Sequence, residues 1–204
     1  DGLVIFGYMY TTPLPANGWG LKLCDFNGDG ITDFAATIGG SGVAVRLGDG
    51  AGNFYVSTDV NIAGYALAVD VGDFNNDGHQ DFVATNTTTN TASVRFGNGT
   101  GGFTTATSLT LGTYPRAIAA ADFNGDGNLD VVSANTTAGT YSIRLGDGTG
   151  NFMTRLDVST GSSEPYDVAV GDFNSDGIDD FFIPHYSTNN VTIWKGGQSE
   201  INVT

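Results

Sequence analysis

Four nine-residue segments recur at a nearly constant spacing: DFNGDGITD from Asp25, DFNNDGHQD from Asp73, DFNGDGNLD from Asp122 and DFNSDGIDD from Asp172, their starts 48, 49 and 50 residues apart. A repeat of this size leaves few architectures open, because one unit cannot bury its own apolar face and must stack on its neighbours. Other positions keep the same beat. Arg46, Arg95 and Arg144 are spaced by 49 residues, and Phe6, Phe54, Phe103 and Phe152 each precede a DFN segment by 19 or 20.

Period-two alternation inside the third repeat predicts four short strands: A over 118–121, B over 131–134, C over 141–145 and D from Phe152. The acidic segment joins A to B, residues 135–139 join B to C, and the GDGTGN stretch from Gly146 joins C to D. The 31 glycines suit so many tight turns. The expected fold is all-β, a single β-propeller domain over 1–204 with four four-stranded blades. The ends carry a further expectation. Asp1-Gly2 aligns with Asp49-Gly50, and Phe6 with Phe54, so the chain enters in a D strand, whereas the fourth repeat has little left for its own D. The N-terminal strand Phe6 to Thr11 is therefore expected to complete the last blade, within the chain or by strand exchange between copies, because an unpaired sheet edge invites pairing.

In each acidic segment positions 1, 3, 5 and 9 carry Asp, Asn, Asp and Asp, and position 6 is Gly. Oxygen donors on alternate residues of a sharply turning loop converge on one point, and a set without Cys or His side chains selects Ca2+ over zinc or copper. The candidate ligands are Asp25, Asn27, Asp29 and Asp33; Asp73, Asn75, Asp77 and Asp81; Asp122, Asn124, Asp126 and Asp130; and Asp172, Asn174, Asp176 and Asp180. The backbone carbonyls of Ile31, His79, Asn128 and Ile178 at position 7 would add one oxygen each. An EF-hand requires Glu at position 12, where Ala36, Ala84, Ser133 and Ile183 stand. Four divalent ions, one per loop, would bring the formal charge from −15 to −7.

These loops, with phrases such as YPRAIAAADFNGDGNLDVVSAN from Tyr114 and YSIRLGDGTGNF from Tyr141, resemble the FG-GAP or VCBS repeat family, which supplies the blades of integrin α-subunit propellers and of many secreted microbial proteins. The resemblance covers essentially the whole chain and implies a propeller with calcium in the A–B loop of each blade. Two features depart from the pattern. Family propellers usually have seven or eight blades, and the fourth C–D turn, GGQSE from Gly196, lacks the DG pair. The family serves adhesion, glycan binding and polysaccharide degradation, so fold alone does not choose among them.

An acidic chain with 7 basic residues against 22 acidic ones is an unsuitable partner for nucleic acid. No apolar run is long enough to span a membrane. Five N-x-[ST] sequons, at Asn86, Asn98, Asn135, Asn190 and Asn202, suit a secreted glycoprotein, and glycans are expected first at Asn135 or Asn86. The functional expectation is a secreted, extracellular interaction, adhesion or assembly module rather than an enzyme, with a protein, a glycan or copies of itself as partner. A glycan-binding lectin is the alternative, and a part of a polysaccharide-degrading enzyme comes third. The B–C and D–A turns form one face, carrying Trp19, Tyr65, Tyr114 and Tyr166, read either as a sugar-stacking rim or as wedges between blades. The three repeated arginines read as neutralisers of the acidic loops or as an anion-binding row. Cys24, which aligns with Gly72, Ala121 and Gly171, reads as a buried thiol.

Overall fold

The computed structural model describes residues 11–40, 42–161 and 164–197, and among them only strands, turns and bends occur. The strands form four antiparallel sheets in chain order. Blade 1 holds β1 (Gly18–Cys24), β2 (Asp33–Ile38), β3 (Gly42–Gly48) and β4 (Phe54–Asn61). Blade 2 holds β5 (Val69–Gly72), β6 (Asp81–Asn86), β7 (Thr91–Gly97) and β8 (Phe103–Thr110). Blade 3 holds β9 (Pro115–Ala121), β10 (Asp130–Asn135), β11 (Thr140–Gly146) and β12 (Phe152–Ser159). Blade 4 shows β13 (Ala169–Gly171), β14 (Asp180–His185) and β15 (Asn190–Trp194). Each is a meander, so strands consecutive in sequence are neighbours in space. The four strands predicted in the third repeat are all present, A, B and C running two or three residues longer than the alternation marked. The strand expected to complete blade 4, Phe6 to Thr11, lies almost wholly outside the described residues.

Burial shows how the blades are held. All six residues of β2, β6 and β10 are buried, because the second strand of each of these blades is covered on both faces. Three apolar clusters occur among the described residues, one at each junction between consecutive blades. Val43, Val45 and Ile62 meet Phe82 and Ala84 between blades 1 and 2. Val83, Val94 and Leu109 meet Ile118 and Val131 between blades 2 and 3. Val132, Tyr141 and Ile143 meet Phe181 and Ile183 between blades 3 and 4. The inner strands are also tied by charge. Asp70 on β5 accepts from Lys22 Nζ on β1 and from the Ala120 N–H on β9, both at 2.9 Å, so one carboxylate joins three blades.

The phenylalanine of each of the first three DFN segments belongs to the core of the following blade. Phe26 stands edge-on to Phe103, with Phe82 in the same cluster. Phe74 meets Phe152, and Phe123 meets Phe181 and Trp194. These three rings are at most 2% exposed. Phe173, the fourth in the series, is 50% exposed and leans on Phe182 of its own sheet. On the opposite flank Leu21 and Leu23 of β1 are exposed as well. The repeat is therefore directional, each loop plugging the sheet that comes after it.

Truncating a plugged ring removes apolar burial and leaves a cavity, so Phe123→Ala should destabilise by about 3–5 kcal/mol. Phe173→Ala, which opens no cavity, should change stability by less than about 1 kcal/mol. Urea unfolding of the two variants beside the parent chain measures the difference, and equal losses would contradict the directional plug.

Candidate metal loops and the opposite face

Each A–B loop is wound by two left-handed residues. Position 6 is Gly30, Gly78, Gly127 or Gly177, with φ between +79° and +88°. Position 4 is Gly28, Asn76, Gly125 or Ser175, also at positive φ, a second demand that glycine or asparagine meets most easily. Between these bends the donors converge. The position-5 N–H lies within hydrogen-bonding reach of two side-chain oxygens at once: Asp29 N–H meets Asp25 Oδ1 and Asn27 Oδ1, and Asp126 N–H meets Asp122 Oδ1 and Asn124 Oδ1. Asp77 and Asp176 repeat the arrangement. Asp29, Asp77, Asp126 and Asp176 in turn accept from the N–H of Ile31, His79, Asn128 and Ile178, at 2.8 to 3.0 Å. Positions 1, 3 and 5 are thus gathered on one exposed loop, with their oxygens turned onto backbone N–H groups.

Position 9 is different. Asp33, Asp81, Asp130 and Asp180 are essentially without solvent exposure. One oxygen of each accepts from the N–H at position 2: Phe26, Phe74, Phe123 or Phe173, at 2.8 to 3.1 Å. The other accepts from Gly48, Gly97, Gly146 or Gly196 at the end of strand C, at 2.8 to 2.9 Å. A side chain on any of these four glycines would strike the carbonyl of loop position 8, so only glycine brings its N–H this close. This glycine was missed in the sequence, where it reads as part of the C–D turn; its recurrence 15 or 16 residues after the position-9 Asp is the signal that could have found it. Burial pushes the Asp81 and Asp130 carboxyls up to about 6. Their two N–H bonds oppose that shift, and the loop's own Asp77 and Asp73, or Asp126 and Asp122, add to it.

Among the described residues no three His, Cys, Asp or Glu side chains stand at metal-ligating spacing. Each loop also offers an Asn side-chain oxygen and the position-7 carbonyl. The donor chemistry fits a hard cation: the donors are oxygens, they are partly or fully exposed at positions 1, 3 and 5, and a buried carboxylate anchors the loop's exit.

Several surface readings change. The aromatics of the D–A turns are not wedged between blades: Trp19 is 63% exposed, and Tyr65, Tyr114 and Tyr166 are about 40% exposed. Trp19 Nε1 donates to the Tyr65 hydroxyl at 3.0 Å, and the Arg116 guanidinium lies 3.6 Å from the centre of the Tyr166 ring. Trp19, Arg116 and Tyr166, with Leu67, Ala68 and Asp167, line a cavity of about 260 Å³ to which all four blades contribute. Asn86 and Asn135, expected to carry glycans, are buried. Asn86 Nδ2 donates to the Ile62 carbonyl, and Asn135 Nδ2 to the hydroxyls of Thr140 and Ser142, so neither amide is presented for modification. Asn98 and Asn190 are exposed, and Asn202 lies outside the described residues. The arginines do not face the acidic loops. Arg46 pairs with Asp59, and Arg144 with Asp157, on their own outer strands. Arg144 also donates to the Thr110 carbonyl of the preceding blade. Cys24 is half-buried, and burial raises its thiol to about 11.

Comparison with known proteins yields the following. The model of the FG-GAP-like repeat matches residues 25–84, 73–133 and 122–183. Among solved structures the chain is similar to a lectin of Agrocybe aegerita, whose structure concerns specific recognition of non-reducing terminal N-acetylglucosamine, with a TM-score of 0.56 and 20% identity over 85% of this chain. The chain spans 51% of that lectin's length. It is also similar to part of the Photorhabdus luminescens Tc holotoxin pore, with a TM-score of 0.47 and 18% identity over 84% of this chain and 8% of the other. No curated protein sequence matches.

The two kinds of aspartate separate by experiment. With chelator present, Asp130→Ala leaves two buried N–H groups unpaired and should destabilise by at least about 2 kcal/mol. Asp126→Ala, on the exposed rim, should be nearly neutral under the same conditions. Thermal unfolding in chelator makes the comparison. Intact-mass and site mapping of the chain from a glycosylating host should find Asn86 and Asn135 bare.

Proposed function

The chain belongs to the FG-GAP-like repeat family, and on that footing we propose that it is a secreted, calcium-binding propeller that works by binding a partner rather than by catalysis. The observation that carries this reading is the fourfold recurrence of one loop geometry, with oxygens of positions 1 and 3 meeting at the N–H of position 5. Asp, Asn and Asp at positions 1, 3 and 5, the position-7 carbonyl and the position-9 Asp would hold one Ca2+ in each loop. The ion would offset the repulsion of three carboxylates and tie strand A to strand B. Its affinity would be that of extracellular modules, matched to the calcium level outside cells.

The carboxylates outside the loops support a non-catalytic reading. Asp70 is paired with Lys22 and Asp157 with Arg144, so two of the acidic groups that could serve as acid or base are committed to structure. Among the described residues no helix is long and apolar enough to cross a membrane.

A second reading, a glycan-binding lectin, is favoured by the cavity between Trp19, Arg116, Tyr166 and Asp167. Half-exposed rings beside a guanidinium and a carboxylate offer a stacking face with hydrogen-bonding groups around it, the usual makeup of a sugar site. Glycans ending in N-acetylglucosamine are a rational first probe. Loss of binding in Tyr166→Ala with an unchanged melting temperature would support this reading, and a glycan array without hits would remove it.

Bound-metal analysis should find four calcium ions per chain. Calcium at 100 times its dissociation constant should stabilise by about 2.7 kcal/mol per site. Thermal melting with and without chelator reads the effect, and superimposable curves would refute calcium binding. Asp126→Ala should lose one ion and keep the rest, because repeats couple mainly to their neighbours.

A further inference from the structure

The same arginine occurs in three blades, but its surroundings differ in one of them. In blade 1 Arg46 Nη1 meets Asp59 Oδ1 at 2.7 Å, and in blade 3 Arg144 Nη2 meets Asp157 Oδ1 at 2.9 Å. Asp59 stands opposite Ala44 on strand C, and Asp157 opposite Ser142. The residue in that register in blade 2 is Ser108, opposite Ser93. Among the described residues Arg95 has no carboxylate partner. Its guanidinium donates to the Val94 carbonyl at 3.0 Å and, at the limit of hydrogen-bonding distance, to the Asn61 carbonyl at 3.5 Å. A guanidinium carries five N–H donors, so most of its capacity remains.

Where the aspartate side chain is missing, a cavity of about 370 Å³ opens, lined by Arg95 and by the hydroxyls of Thr89, Thr91, Ser93, Thr107 and Ser108. Ile62 and Ala63 of the preceding D–A turn also line it, and no acidic side chain does. The cavity lies toward the B–C and D–A turns, away from the acidic loops, so intervening solvent screens much of the chain's negative charge.

We propose that this cavity binds the carboxylate of an acidic sugar, such as a uronic acid, which takes the place at Arg95 that Asp157 takes at Arg144. A carboxylate matches the guanidinium fork. Of the five hydroxyl-bearing residues around it, Thr89 and Thr91 bond each other at 2.8 Å, and Ser93, Thr107 and Ser108 suit a ring bearing hydroxyls of its own better than an aspartate or glutamate side chain, which has none. Ile62 and Ala63 offer an apolar surface to the ring's C–H face. The site is separate from the central aromatic cavity and uses no calcium ligand, so it goes beyond the proposed function and can stand or fall independently of it.

The test uses glucuronate as probe, with glucose, inorganic sulfate and glutamate as comparisons, followed by calorimetry on the calcium-loaded chain. Glucuronate should bind saturably, and the other three at least about tenfold more weakly. Ser108→Asp restores the pair found in blades 1 and 3, so it should abolish glucuronate binding while keeping or raising the melting temperature. Arg95→Gln should weaken binding at least about tenfold. Saturable glucuronate binding that Ser108→Asp removes establishes the site. Absence of binding, equal binding of glucose, sulfate or glutamate, or unchanged binding in Ser108→Asp each overturns it, the last by placing the ligand elsewhere, for instance on the calcium loops.

Discussion

In every blade a carboxylate sits in the interior with both oxygens occupied, one by the N–H that opens the acidic loop and one by the glycine that ends strand C. An isolated buried charge would be strongly unfavourable, and two N–H donors are the least that makes it tolerable. The rest of the blade follows from this clamp. It fixes the curl of the loop, which places the oxygens at positions 1, 3 and 5. It sets strand B against the end of strand C, and in blades 1 to 3 it aims the position-2 phenylalanine into the next sheet. In blades 2 and 3 the carboxyl still titrates near 6, because desolvation outweighs the two bonds and the loop's other carboxylates add repulsion. A cation held by the loop would work in the opposite direction, so metal binding and the buried clamp support each other.

The phenylalanine carries this local device into the assembly of blades. Phe26, Phe74 and Phe123 each enter the cluster of the following sheet, so a loop on one blade contributes to the core of the next. Each ring thereby couples its blade to the next, as in other repeat proteins whose stability is approximately a sum of intrinsic and nearest-neighbour terms. Phe173 has the same sequence context and the same N–H bond to its aspartate, yet its ring is half exposed, because among the described residues no further sheet receives it.

The two faces of the blades divide the work. One is nearly invariant from repeat to repeat, since the clamp and the loop tolerate little change. On the other, each blade carries its own variations: Ile38, Asn86, Asn135 and His185 end the four B strands, and Ser108 replaces an aspartate beside one of three otherwise equivalent arginines. Such departures from an internal repeat mark places where chemistry can differ while the fold is kept.

The period, the strand alternation and the oxygen pattern were legible in the sequence because each is a local rule: turns need glycine, strands alternate, and ligand loops space their donors by two. The blades and the positions of the four loops followed from these rules. Local rules could not show that the position-9 aspartate is a buried clamp, since its second partner lies 15 or 16 residues away on another strand. They also misassigned Asn86 and Asn135, whose sequons read as exposed polar turns but whose amides close hydrogen bonds inside the packed blade. For Trp19, Tyr65, Tyr114 and Tyr166 the sequence left two readings open, a rim or wedges between blades, and their exposure favours the rim. The sequence by itself determined which residues repeat. Only the tertiary structure decided which faces they meet, because burial depends on the sheet that stacks next to each blade and not on the residues beside it in the chain.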